Sequence, residues 1–154
     1  MESKSKILIV DDAPSVLSFL SDILMPHYTV ETASSGEDAL EVLLKFRPDM
    51  VLLDVIMTGL DGYEICRKIR ADGSFGFIKI IMISVGTTLK ERLRGYEAGA
   101  DDYIGKPFDD EELLAKVRVF MRLKSVEDQL QYLNDKLNEQ IRVRTSWDAP
   151  SCLP

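Results

Sequence analysis

The sequence predicts an α/β protein with a doubly wound parallel sheet, built as a βα unit repeated five times. Three observations lead there. Short apolar runs alternate with longer amphipathic ones over most of the chain. Three of those runs, KILIV (6–10), MVLLD (50–54) and IKIIMIS (78–84), are nearly continuous in hydrophobicity, as strands covered on both faces must be. Finally, four polar residues suited to helix N-caps each have Glu three positions on: Ser34/Glu37, Asp61/Glu64, Thr88/Glu91 and Asp109/Glu112.

Taken in order, the first strand is 6–10, and Pro14 suits the first turn of the helix that follows it. Val16, Phe19, Leu20 and Ile23 fall at helical spacing and predict that helix's buried face. YTVET (28–32) is the second strand, followed by the helix capped at Ser34. MVLLD is the third, IKIIMIS the fourth and DDYIG (101–105) the fifth, each followed by its capped helix. Parallel strands require crossovers, and helical crossovers of one hand cover both faces of a single sheet.

Composition narrows the function. The 154 residues are 45% hydrophobic and 29% charged, an ordinary globular mix. A net charge of −7 argues against a nucleic-acid-binding surface. Cys66 and Cys152 have no metal or redox spacing, and a reduced, cytoplasmic setting is expected. No run reaches transmembrane length, and MESKSK opens no signal-peptide core, so no membrane association is expected. The single histidine, His27 beside Pro26, reads as a surface residue. It excludes a multi-histidine metal site and disfavours a serine–histidine–aspartate hydrolase.

In open parallel sheets the functional crevice lies at the carboxyl ends of the strands. There the sequence places Asp11 and Asp12 after the first strand, Asp54 at the end of the third, Ser84 at the end of the fourth and Lys106 after the fifth. Each alone has a bland explanation: an Asp pair caps helices, a Ser closes turns, a Lys is solvated. All five together, at four strand ends of one sheet, point to a site. Three neighbouring carboxylates repel one another, and a divalent cation removes that cost; all-oxygen ligation suits Mg²⁺, with Mn²⁺ as an alternative.

Four stretches carry a family resemblance: ILIVDDAPSV, PDMVLLDVIMTGLDGYE, IIMISVG and EAGADDYIGKPF. Over about Lys4 to Leu123 the chain resembles the receiver domains of two-component response regulators. The resemblance implies the flavodoxin-like strand order 2-1-3-4-5 and a receiver domain over 1–123. It implies Asp54 as the phosphoacceptor, and Asp11, Asp12, Asp54 and the backbone carbonyl of Ile56 as Mg²⁺ ligands. It further implies Ser84 as the switch hydroxyl, Lys106 as the partner of the phosphoryl group, Tyr103 as the aromatic switch that turns inward, and a cis Lys106–Pro107 bond. The implied donor is a phosphohistidine on a sensor histidine kinase or phosphotransfer protein; GADDYIGK lacks the nucleotide-binding P-loop pattern.

Three positions depart from the family's commonest pattern. Thr58 stands where Pro is usual before Gly59, Val85 follows Ser84 where a small residue is usual, and Ile56 is apolar and unable to orient an attacking water. The last two predict slow self-dephosphorylation. A haloacid-dehalogenase-type phosphatase would need a second Asp two residues after the nucleophile, and Ile56 occupies that place. A constitutive dimerisation module with a vestigial site is disfavoured by the intact acids, serine and lysine.

Beyond Leu123 the helical pattern continues. Leu123, Val126, Leu130, Leu133 and Leu137 alternate spacings of three and four, a heptad seam that weakens at Gln140 and Arg144. The expectation is a helical, coiled-coil extension over 124–145, forming a parallel two-stranded coil, and a disordered tail over 146–154. A homodimer is expected through that coil and through the face of the fourth helix, fifth strand and fifth helix.

Overall fold

The computed structural model describes residues 4–85 and 88–148. Five strands alternate with five α-helices: β1 (Lys6–Val10), α1 (Pro14–Leu24), β2 (Thr29–Ala33), α2 (Gly36–Phe46), β3 (Met50–Asp54), α3 (Gly62–Ala71), β4 (Lys79–Val85), α4 (Leu89–Ala98), β5 (Asp102–Lys106) and α5 (Asp110–Asp148). The strands form one sheet in the order β2-β1-β3-β4-β5, and every neighbouring pair is parallel. The expected fold and strand order are present.

Side-chain alternation along the strands divides the core in two. Leu8, Val10, Val51, Leu53, Ile80 and Met82 face α2, α3 and α4. Ile7, Ile9, Met50, Leu52, Ile81 and Ile83 face α1 and α5. Burying both faces of the central strands accounts for their uninterrupted apolar sequences, since each fully buried aliphatic side chain stabilises the fold by roughly 1.5–3 kcal/mol.

Several boundaries differ from the sequence expectation by one residue, and the ladder explains each. Tyr28 donates its N–H to Leu24 O and closes α1, so β2 begins at Thr29, paired with Lys6. Ile78 O accepts from Arg70 Nη1, so pairing begins at Lys79. Asp101 binds Arg70 at 2.7 Å and Ile80 N at 2.8 Å through its side chain, leaving Asp102 as the first residue of β5. The cap of α2 is Ser35, which accepts from Asp38 N at 3.1 Å, in place of the expected Ser34. Asp61 and Thr88 cap α3 and α4 as expected, each accepting from the N–H of the Glu three residues on. In α1, Leu20 and Leu24 are fully buried, whereas Phe19 is half exposed and stands 6.4 Å from the Phe108 ring.

The last helix is continuous for 39 residues, a rod of about 58 Å at the usual rise per residue. It includes residues 146–148, where a disordered tail was expected; residues 149–154, Cys152 among them, lie outside the described residues. Its first turns pack Leu113, Val117 and Met121 on the sheet. Beyond them Glu127 reaches Lys79 at 2.7 Å, and Lys124 reaches Asp49 at 3.4 Å. Lys79 is only 5% exposed at the start of β4, so its counter-charge comes from beyond the expected receiver boundary at residue 123.

A buried ammonium that loses its partner is strongly destabilising, whereas replacing both partners by apolar groups is often neutral. Glu127→Ala should therefore cost about 1–3 kcal/mol, discounted because Glu127 is itself partly exposed. The double variant Lys79→Met/Glu127→Leu should recover most of the loss. Urea denaturation of the full chain measures both.

Candidate functional site

The parallel sheet delivers the predicted residues to its carboxyl edge. Asp11 directly follows β1, Asp54 ends β3, Ser84 is the penultimate residue of β4 and Lys106 ends β5. Asp11, Asp54 and Ser84 are buried, and Asp12 is exposed. One carboxylate oxygen from each of Asp11, Asp12 and Asp54 can be chosen so that all three lie within 4.8 Å of one another.

Asp11 is held from two sides. One oxygen accepts from Ala13 N at 2.9 Å, a local turn that aims the side chain, and the other accepts from Lys106 Nζ at 3.0 Å. Lys106 Nζ also stands 3.8 Å from Asp54 Oδ1. Thus one cation serves two buried carboxylates. Burial, together with the Asp11 charge, pushes the Asp54 carboxyl up from 3.8 to about 6, against the opposing pull of Lys106 and of the Ile56 N–H. The site is short of positive charge, and an all-carboxylate donor set of this kind fits a hard divalent cation.

The backbone around Asp54 leaves no slack. A Cβ on Gly62 would lie 2.5 Å from Asp54 O, so only glycine lets the start of α3 approach the strand end this closely. Gly59 has φ of 83°, a left-handed conformation that turns the chain back after Thr58.

Ser84 is 2% exposed, and its hydroxyl donates to Val85 O at a long 3.3 Å. Val85 and Ile56 are 66% and 71% exposed, flanking the site at its rim. Tyr103 lies inside, packed beside Gly95, and its hydroxyl has no hydrogen-bond partner among the described residues. Burial pushes its phenol up to about 12. The Lys106–Pro107 bond is cis. His27 is exposed, as expected.

Sequence reasoning missed Tyr63. It is buried on α3, its hydroxyl donates to Glu91 O at 3.3 Å, and Arg94 stacks over its ring at 4.2 Å. These contacts tie α3 to the first turns of α4. Both partners lie about thirty residues away in sequence, and no local pattern announces them.

Residues 7–118 match the family described as the response regulator receiver domain. The chain is 44% identical over 124 residues to the response regulator MprA of Mycobacterium ulcerans, covering 80% of this chain and 53% of that protein. Among solved structures it resembles the chemotaxis protein CheY4 of Vibrio cholerae, with a TM-score of 0.72 and 32% identity over 75% of this chain and 98% of that one. It also resembles the BeF3-activated receiver domain of DrrB, a Thermotoga maritima protein, with a TM-score of 0.72 and 37% identity over 77% of this chain and 98% of that one. The chain belongs to the response regulator receiver family. It spans about half the length of the curated relatives it matches. No helix among the described residues is long and apolar enough to cross a membrane.

The raised Asp54 value has a consequence for stability. An acid whose folded value lies above its unfolded one binds its proton more tightly when folded. Its ionised form therefore costs stability at neutral pH, and the cost disappears as pH falls through about 6 toward 3.8. In chelator-treated protein, Asp54→Asn should be more stable than wild type by about 1–3 kcal/mol at pH 7, with the gap closing toward pH 4. Denaturation curves of both proteins across that range check the sign.

Proposed function

We propose that this chain is a phosphorylation-controlled switch in which Asp54 accepts a phosphoryl group from a phosphohistidine on a partner histidine kinase or phosphotransfer protein. The observation that carries the reading is the convergence of Asp11, Asp12 and Asp54 with Lys106 at 3.0 and 3.8 Å from two of them. A nucleophilic carboxylate, a cationic side chain and a divalent-metal donor set are the parts an in-line phosphoryl transfer requires. The chain is a receiver and not an enzyme of the ordinary kind.

In this reading an ionised Asp54 oxygen attacks phosphorus, the bond to the donor imidazole breaks, and an acyl phosphate forms on Asp54. Asp11, Asp12, Asp54 and the Ile56 carbonyl would hold Mg²⁺, or Mn²⁺. The cation supplies neutralisation of the charge on the transferred oxygens. Lys106 exchanges its bond to Asp11 for one to the phosphoryl group. The Ser84 hydroxyl exchanges its long contact with Val85 O for a phosphoryl oxygen, a stronger, charge-assisted partner. Tyr103 lies against the same region and transmits the rearrangement to α4. The face of α4, β5 and α5, with Leu89, Leu93 and Tyr96 exposed, is the surface whose pairing the switch controls, together with the helical extension. A cytoplasmic location accompanies the kinase reading.

Incubation with acetyl phosphate should add one phosphoryl group to the intact mass when Mg²⁺ is present and none when it is chelated. Asp54→Asn should add none under either condition. Failure of the wild type to gain mass while Mg²⁺ binds normally would overturn the phosphoacceptor reading.

The rim residues set the lifetime of the acyl phosphate. Val85 and Ile56 flank Asp54 with apolar groups that neither orient nor admit water. The phosphorylated chain should persist well beyond the fastest chemotaxis-type receivers. Val85→Ala with Ile56→Asn should shorten its half-life by about tenfold or more, equal to a barrier lowered by roughly 1.4 kcal/mol. Mass spectrometry of the decaying species measures it.

A further inference from the structure

The continuation of α5 has two unlike sides. One is occupied by the protein's own sheet. Glu127 reaches Lys79, Lys124 reaches Asp49, Leu113, Val117 and Met121 pack on the sheet, and a groove with Ser5 and Asp49 runs along the helix from Met121 to Tyr132 and meets the stripe only at Leu133. The other side carries Leu123, Val126, Leu130, Leu133 and Leu137, which are 44–63% exposed. At 3.6 residues per turn, the apolar stripe points about 160° away from Leu113, Val117 and Met121, the residues that pack on the sheet. The ion pairs thus fix the helix to the floor of the sheet with its apolar stripe turned outward.

We propose that this stripe is a dimer seam and that its occupant is a second copy of the same chain, paired parallel and in register. The inference deepens the self-pairing part of the function proposed above and rests on the helix, not on the phosphorylation site. The stripe alternates spacings of three and four, the pattern that seats knobs from one helix in holes of another. It is narrow. The flanking positions hold Arg122, Glu127, Gln129, Asn134 and Lys136, which suits a two-stranded seam rather than a broader apolar face.

Register follows from the layers. Parallel pairing puts Leu123, Val126, Leu130, Leu133 and Leu137 each against its own counterpart and sets Gln140 amide against amide. Antiparallel pairing centred on the stripe sets Leu123 against Gln140 in two layers, burying an amide on hydrocarbon. The flanks agree. In the parallel arrangement Arg122 of one chain lies beside Glu127 of the other, and Gln129 lies beside Asn134. Glu127 then sits between Lys79 of its own chain and Arg122 of the second copy, so the charges that fasten the arm also line the seam.

The test uses the full chain. Sedimentation equilibrium should give a dimer, and Leu130→Glu/Leu133→Glu should raise its dissociation constant by at least about 100-fold, since charges would be desolvated in the seam. That variant should still gain one phosphoryl group from acetyl phosphate. Loss of the dimer then cannot come from a misfolded receiver. A wild-type chain that failed to accept phosphate but dimerised would sink the function proposed above and leave this inference standing. In a Cys152→Ser background, Leu130→Cys should form an interchain disulfide on mild oxidation, and Asp128→Cys, on the opposite side, should not. A monomeric wild type, an assembly larger than a dimer, or cross-linking of Leu130→Cys only to a chain bearing Leu133→Cys would overturn the proposal.

Discussion

Everything at the carboxyl edge of the sheet depends on one shortage of charge. Two buried carboxylates, Asp11 and Asp54, face a single ammonium, Lys106, which lies 3.0 Å from the first and 3.8 Å from the second. Asp12 adds a third acid within ligand distance. The fold tolerates this because the central strands β1, β3 and β4 are largely apolar and packed on both faces, so the cost at one edge is offset by burial elsewhere. A site left unbalanced in this way suits a divalent cation and, under the proposed function, an arriving phosphoryl group.

Strand β4 links this edge to the opposite one. Ser84 lies near its carboxyl end beside the acids, and Lys79 lies at its amino end, held by Glu127 of α5. The strand is buried along nearly all of its length between the two. Under the proposed function, a displacement of Ser84 toward a phosphoryl group would act on a rigid element whose far end grips the helical arm. Tyr63 gives a second route, since its bond to Glu91 O ties α3 to α4 beside the buried Tyr103. These are physical connections between site and surface; how far coupling travels along each is a question of energy rather than proximity.

Much of this was legible before the structure. The runs KILIV, MVLLD and IKIIMIS declared buried parallel strands, and Asp61 and Thr88 marked their helices to the residue. Where the structure departs from that expectation, particular hydrogen bonds decide. Asp101 is spent on Arg70 and Ile80 N instead of opening β5, and Ser35 rather than Ser34 faces the first turn of α2. Phe19 fits the helical period yet stands half exposed against Phe108, because period alone does not say how far around a helix its cover extends. Tyr63 and Lys79 were invisible, since each owes its role to a partner nearly thirty or nearly fifty residues away.

By itself, the sequence determined the class of fold, the succession of its elements and the identity of the residues at the strand ends. Those are local matters of period, capping and apolar run length, and each is written within a few neighbouring positions. Only the tertiary structure decided that Lys106 serves Asp11 and Asp54 together, that Asp54 is raised to about 6, and that the arm is fastened through Glu127 with its apolar stripe outward. Charge balance and desolvation depend on distances through space between segments remote in sequence, and those distances exist only once the sheet has brought the strands together.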